Sequence, residues 1–262
     1  MKILQIADLH GKDVWKKIVE RHPDADKIVF TGDYWDSFDI SFERQKWNFQ
    51  DVIEFKQKEG DRVVLLTGNH DFHYFRECLA VGEKYSGFQT AKAHLITLEI
   101  EPHRGILQMA FSHENFLFTH AGVTQTFINN VGLVDSANIA KDLNDLFAAK
   151  PLSFVFEGYD SYGDDVTQGP LWVRPRSLEA DMLPSWIHIV GHTRVRKIVN
   201  VKDVIYLTDT LEEKVGGQYT IIENKEVKVY LTRAAITAIS WDPQMKAYYK
   251  RKIAEGKHKA SV

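Results

Sequence analysis

Cysteine is nearly absent. One residue, Cys78, in a chain of 262 cannot form an internal disulfide, which excludes a disulfide-stapled secreted scaffold and implies a reducing compartment. Nor can it build a thiolate zinc site alone, so it reads as a packing residue. Long apolar runs are also missing: no segment approaches the ~18 uninterrupted apolar residues of a membrane span. The chain opens on a strand-like run, "KILQIA", with no cationic stretch leading into a signal-like core, and a cytoplasmic protein is expected. Charge of one sign is not in excess either. A formal net charge of −3 gives no general attraction to nucleic acid or to an anionic membrane, leaving only local patches to act in that way. Repeats, low-complexity tracts and linkers are absent from the sequence.

What remains is the composition of a globular protein, 44% hydrophobic and 26% charged, long enough for one large domain or two small ones. "KILQIA", "KIVFTG" and "RVVLLTG" are short runs rich in Ile, Val and Leu, each ending in polar or glycine-containing sequence, as buried strands do. Between the first two, Val14, Ile18 and Val19 share helical spacing before Pro23. Between the second and third, Phe49, Val52, Ile53 and Phe42 line a helical stripe that Gly60 stops. The order β-α-β-α-β predicts parallel strands with right-handed crossovers. Ligands then sit outside the carboxyl ends of the strands, where Asp8, Asp33 and Asn69 fall.

Further on, "FLFTHAGV" reads as a strand, residues 124–150 as helical and residues 157–170 as a long surface loop. "WIHIVGHT", "DVIYLTDT", "GQYTIIEN" and "EVKVYLT" add four strands, with a hairpin turn at "ENKE". The Lys-rich segment 242–262 is expected to be a tail or a short helix. One α/β domain over 1–262 follows, with two sheets and its motifs within 1–233.

Five strand ends carry metal-binding residue types. They are "IADLHG" with Asp8 and His10, "FTGDYWD" with Asp33 and Asp36, "LLTGNHD" with Asn69 and His70, "FTHAG" with His120, and "IVGHT" with His192. Each alone has an ordinary reading, an Asp capping a helix or a buried hydrogen-bonded histidine. Five in one chain are hard to explain by capping. Oxygen and imidazole donors without thiolate suit manganese, iron, zinc or magnesium. A carboxylate can bridge two cations ~3.5–4 Å apart, which together can hold a hydroxide nucleophile and a phosphoryl oxygen. Glycines beside Asp33, Asn69, His120 and His192 allow the sharp turns that bring such ligands close.

The series "DLHG", "GDYWD", "GNHD", "THAG", "GHT" resembles the calcineurin-like metallophosphoesterase superfamily. More narrowly it is similar to its phosphoprotein-phosphatase branch, which includes bacterial and phage serine/threonine phosphatases and diadenosine tetraphosphatase. The phosphodiesterase branch usually ends in G-H-x-H; Arg194 stands at that second position here. The resemblance implies an αββα sandwich of two sheets flanked by helices. It implies that Asp8, His10 and Asp33 hold one metal, and that Asp33 bridges to a second held by Asn69, His120 and His192. Two divalent ions are implied, manganese first, with iron, zinc or magnesium as alternatives. His70 would be the general acid, oriented by Asp36.

The implied activity is hydrolysis of phosphate monoesters, protein serine/threonine phosphatase-like, by attack of a metal-bridging hydroxide. Its partner would be a phosphoprotein or small phosphate ester, a nucleotide included, with no membrane and no stable nucleic-acid binding. The alternatives are a nucleotide phosphodiesterase or diadenosine tetraphosphatase-like pyrophosphohydrolase, and, more remotely, a non-catalytic binding scaffold. Against the last, every ligand and His70 are present. One departure matters. The branch reads "GDxxDRG", its arginine gripping the phosphate, whereas this chain reads "GDYWDSF". Ser37 cannot replace a guanidinium fork. "GPLWVRPR" offers Arg174 and Arg176 instead, and Arg174 is the candidate by analogy with related bacterial phosphatases, with His73 and Arg44 as lesser ones.

Overall fold

Each short apolar run becomes a strand. In the computed structural model, which describes residues 1–156, 162–211 and 217–232 together with positions 247 and 251, the first strands are β1 (Ile3–Ile6), β2 (Lys27–Phe30) and β3 (Val63–Leu66). After them come β4 (Leu107–Gln108), β5 (Ala110–His113), β6 (Phe116–Thr119) and β7 (Ile187–Val190). The last are β8 (Val199–Val201), β9 (Ile205–Leu207), β10 (Gln218–Glu223) and β11 (Glu226–Leu231). One sheet has the order β11-β10-β1-β2-β3-β4 and the other β5-β6-β7-β9-β8. β1 to β4 are parallel, as are β6, β7 and β9. The expected tail at 242–262 lies outside the described residues apart from Ala247 and Arg251, both helical.

Helix Val14–Arg21 links β1 to β2 and buries Trp15 and Ile18, with Val14 and Val19 at the edge of the core. Helix Phe42–Glu59 links β2 to β3. Ser41 caps its start by accepting from the Arg44 N–H (3.4 Å), and Gly60 ends it at φ 57°. Residues 124–150 form two helices, Gln125–Asn130 and Ile139–Ala149. The apolar periodicity runs through both, but Gly132 turns the chain at φ 74°.

Alternation along the strands builds two layers of core. Leu4, Ile6, Ile28 and Phe30 pack under the helices. Ile3, Val29, Val64 and Leu66 point the other way, onto Phe116, Phe118 and Ile189 of the second sheet. Gln5 is buried between the sheets but satisfied: its amide donates to Thr208 Oγ1 (2.9 Å) and accepts from Thr220 (2.8 Å). This is an α/β sandwich of two sheets flanked by helices. The parallel strands of both sheets deliver their carboxyl-end loops to one place.

Candidate active site

Those loops turn back abruptly. Asp8, His10, Asp33, Asp36 and His192 take φ of 23°, 42°, 53°, 65° and 58°, a region that side-chain-bearing residues seldom occupy. Such backbone persists only where the surroundings over-determine it. Asp71, fully buried, does much of this: its carboxylate accepts from the N–H groups of Asp33 (2.8 Å), Tyr34 (2.8 Å) and Gly68 (2.9 Å). Close approach needs glycine. A Cβ on Gly68 would lie 2.1 Å from Asp33 Oδ1, and one on Gly191 2.0 Å from Asp8 Oδ1.

The donor atoms converge on Asp33. His10 Nδ1 donates to the Trp35 carbonyl (2.7 Å) and His120 Nδ1 to the Thr31 carbonyl (2.8 Å). Each Nε2 is thereby left as a lone pair, and these stand 3.6 Å and 3.5 Å from Asp33 Oδ2. His192 uses the opposite tautomer, Nε2 donating to the Trp172 carbonyl (3.2 Å). Its Nδ1 then faces Asn69 Oδ1 at 3.0 Å and His120 Nε2 at 3.1 Å, and the latter lies 2.8 Å from the same amide oxygen. Acceptor faces acceptor throughout, with no proton between. Asp8 Oδ2 accepts from the His192 N–H (2.7 Å), while its buried Oδ1 has no hydrogen-bond partner. Oriented imidazoles and an orphaned carboxylate oxygen are the arrangement that hard or borderline divalent cations fit. One oxygen or nitrogen each from Asp8, Asp33 and His120 fall within 4.8 Å of one another.

Electrostatics point the same way. Burial, then the charge of Asp209, pushes the Asp8 carboxyl well above the usual range; burial, then Asp8, does the same to Asp33. Burial pulls His120 down to about 3 and, with the Arg174 charge, lowers His192. The protein alone makes these carboxylates costly to ionise, and bound cations reverse that sign.

Beside this cluster, His70 Nδ1 donates to Asp36 Oδ2 (3.0 Å). Asp36 is buried yet held down at about 2: burial raises it, but donors from His70 and His73 prevail. His73 Nε2 donates to the same oxygen (2.7 Å), and Tyr74 and Gln89 (3.0 Å) donate to the other. Gln45 fixes the Asp36 backbone by accepting its N–H (2.9 Å). Asp36, His70 and His73 also have the spacing of a metal-binding group, but here donors already saturate the carboxylate.

A cavity of about 540 Å³ opens over the cluster, lined by Asp8, His10, Asp33, Asn69, His70 and His192 at its base and Arg174 at its side. Arg174 donates to the His192 carbonyl (3.2 Å), Thr193 Oγ1 (3.2 Å) and the Tyr162 carbonyl (2.8 Å). Arg176 is exposed and does not line this cavity. Two lesser candidates are displaced. Arg44 lines a different hollow with Lys12 and Leu211, and His73 lies fully buried behind Asp36.

Sequence reasoning passed over Asp209, which is buried, lines the same cavity, and follows β9 as the other site residues follow their strands. That strand-end position was its signal. Tyr74 and Gln89 carried no comparable signal.

The family model for calcineurin-like phosphoesterases matches residues 1–193. No curated protein sequence matches the chain. Among solved structures, a mutant of a cold-active protein tyrosine phosphatase superposes with a TM-score of 0.58 at 19% identity, over 88% of this chain and 77% of that one. A serine/threonine phosphatase from Saccharomyces cerevisiae gives 0.52 at 11% identity, over 88% and 79%. At these identities the likeness is one of fold.

Proposed function

This chain belongs to the calcineurin-like phosphoesterase family, a family of metal-dependent hydrolases, and on that premise we propose that it is a dinuclear phosphomonoesterase of the protein-phosphatase type, working in the cytoplasm. The observation that carries this reading is the convergence of lone-pair-bearing imidazoles and carboxylates on Asp33, with a hydrogen-bonded His70–Asp36 pair at the margin. Asp8, His10 and Asp33 would hold one cation; Asp33, Asn69, His120 and His192 would hold the other, manganese being the first choice. When bound, the pair supplies Lewis-acid polarisation of the phosphoryl group and activation of the attacking water.

The chain's own residues do the rest. Arg174, fixed by carbonyls on two sides, offers its guanidinium to the equatorial oxygens, where charge must be neutralised. As the new oxygen–phosphorus bond forms opposite the leaving group, the old ester bond breaks. His70 then gives its cavity-side Nε2 proton to the departing alkoxide or phenoxide. Asp36 keeps Nδ1 protonated, and therefore the imidazole correctly turned.

A panel of phosphate monoesters, phosphodiesters, dinucleoside polyphosphates and phosphopeptides, assayed after chelation and again with added manganese, tests this. Monoesters should be turned over best, and only with metal. Full activity in a verified metal-free sample refutes the dinuclear reading. Preference for diadenosine tetraphosphate or a diester replaces it with the nucleotide-hydrolase alternative.

A further inference from the structure

Three rings line the cavity that opens over the Asp33 cluster. Trp172 and Tyr85 have centroids 4.0 Å apart, tilted at 58°. Phe156 meets Trp172 edge to face at 5.3 Å and lies tilted at 57° to Tyr85, 6.1 Å away. All three line the same cavity as the Asp33 cluster. Their places are fixed by polar contacts. The Trp172 indole N–H donates to the Phe154 carbonyl (3.2 Å), and the Phe156 N–H donates to the Tyr85 hydroxyl (3.2 Å).

The wall joins both halves of the site. Trp172 lies edge-on to His192 at 6.1 Å, and its carbonyl accepts a hydrogen bond from that imidazole's Nε2. Tyr85 stacks on His73, which holds Asp36, at 5.8 Å. The turn after it passes directly over the acid: a Cβ on Gly87 would lie 3.2 Å from His70 Cε1. His70 and the three rings line one cavity, so a group departing past His70 has aromatic surface within that cavity to meet.

We infer that this wall is a subsite for a planar aromatic ring bonded directly to the ester oxygen, and that the preferred substrates are aryl phosphate monoesters such as phosphotyrosyl residues. The inference rests on the phosphomonoesterase reading and narrows its substrate class. Proximity selects the aryl ester over a nucleotide. The wall begins in contact with a residue of the phosphoryl-binding cluster, so the ring attached to the ester oxygen meets it. A nucleobase, held off by its ribose, reaches beyond. An aliphatic chain can wet the same surface, but it lacks the edge-to-face and offset contacts that rings make with one another.

Phosphonates test this without turnover, so leaving-group chemistry cannot confuse the result. Phenylphosphonate and cyclohexylphosphonate match in size and differ in planarity. Their dissociation constants, with those of inorganic phosphate and adenosine 5′-monophosphate, are measured by calorimetry on the manganese-loaded full chain. Ring contacts of the usual strength give about a tenfold preference for phenylphosphonate over cyclohexylphosphonate. Tyr85→Leu and Phe156→Leu should each shrink that ratio severalfold, and comparing ratios cancels the difference in phosphonate ionisation. Inorganic phosphate should bind each variant within about twofold of the parent, which reports an intact cluster. Equal binding of the two phosphonates by the parent protein overturns the inference, as does a preference that survives both substitutions together. Tightest binding of adenosine 5′-monophosphate overturns it in favour of a nucleobase site. Should neither phosphate nor any phosphonate bind with manganese present, the phosphoesterase reading itself fails, a result distinct from phosphate binding without ring preference.

Discussion

Removing the proton donor should cost most where the leaving oxygen most needs a proton. His70→Asn deletes the imidazole but leaves the backbone N–H that donates to Asp33 Oδ1 at 2.9 Å, so the metal cluster keeps that support. General acid catalysis contributes roughly 10²–10⁴-fold, and the loss should fall in that range on phosphoserine while staying under about tenfold on p-nitrophenyl phosphate. Asp36→Asn leaves the imidazole and removes one charge-assisted hydrogen bond of 3.0 Å. A bond of that kind is worth about 1.5–3 kcal/mol, or roughly 10–150-fold in rate on the alkyl ester. It also disturbs His73, Tyr74 and Gln89, which share the carboxylate, so thermal melting must show each variant folded. In the double variant the loss should barely exceed that of His70→Asn, because the two groups act as one unit. The assay is kcat/KM on both esters for four proteins at saturating manganese, with bound metal measured by elemental analysis. Equal losses on the two esters, with metal content intact, would remove His70 from the acid role.

Three further outcomes are expected. Asp33→Asn should lose turnover and bind fewer than two equivalents of manganese, since both imidazole lone pairs face that carboxylate; two full equivalents by elemental analysis would count against a bridge. Arg174→Lys keeps a charge but cannot hold both carbonyls and the phosphate, so KM for phosphate esters should rise about tenfold with little change in bound metal. His188, wholly buried in β7 away from the cluster, is pulled down to about 4 by burial. A lowered folded-state value means the unfolded chain takes up the proton first, so stability is full above the ordinary histidine range and falls as pH drops towards 4. This group's share of the loss at pH 5 relative to neutral is about 2 kcal/mol, and in urea melts at the two pH values His188→Phe should reduce the pH dependence by that amount, leaving the part due to His120 and His192.

Much of this protein was legible before folding. Runs such as "KIVF" and "RVVLL" sit in the first sheet as read, because a strand buried on both faces needs an unbroken apolar stretch. The residues that converge on Asp33 were picked out from their place after such runs, a local rule that holds wherever parallel strands present their carboxyl ends. The helix stop at Gly60 followed from backbone chemistry within a few residues. Short strands escaped notice: Leu107–Gln108 and Val199–Val201 owe their state to partners far along the chain, not to pattern.

Tertiary structure separates the two arginines in space. Arg174 and Arg176 are two residues apart in the same proline-flanked stretch, yet only Arg174 lines the cavity over Asp33. It alone gathered His73, Tyr74 and Gln89 around Asp36, from positions 37 to 53 residues away. It alone set Tyr85 against Trp172 to wall that cavity. A strand and the residue type at its end are written in neighbouring positions; which side chains share a cavity depends on how two sheets pack, and no window of sequence contains that.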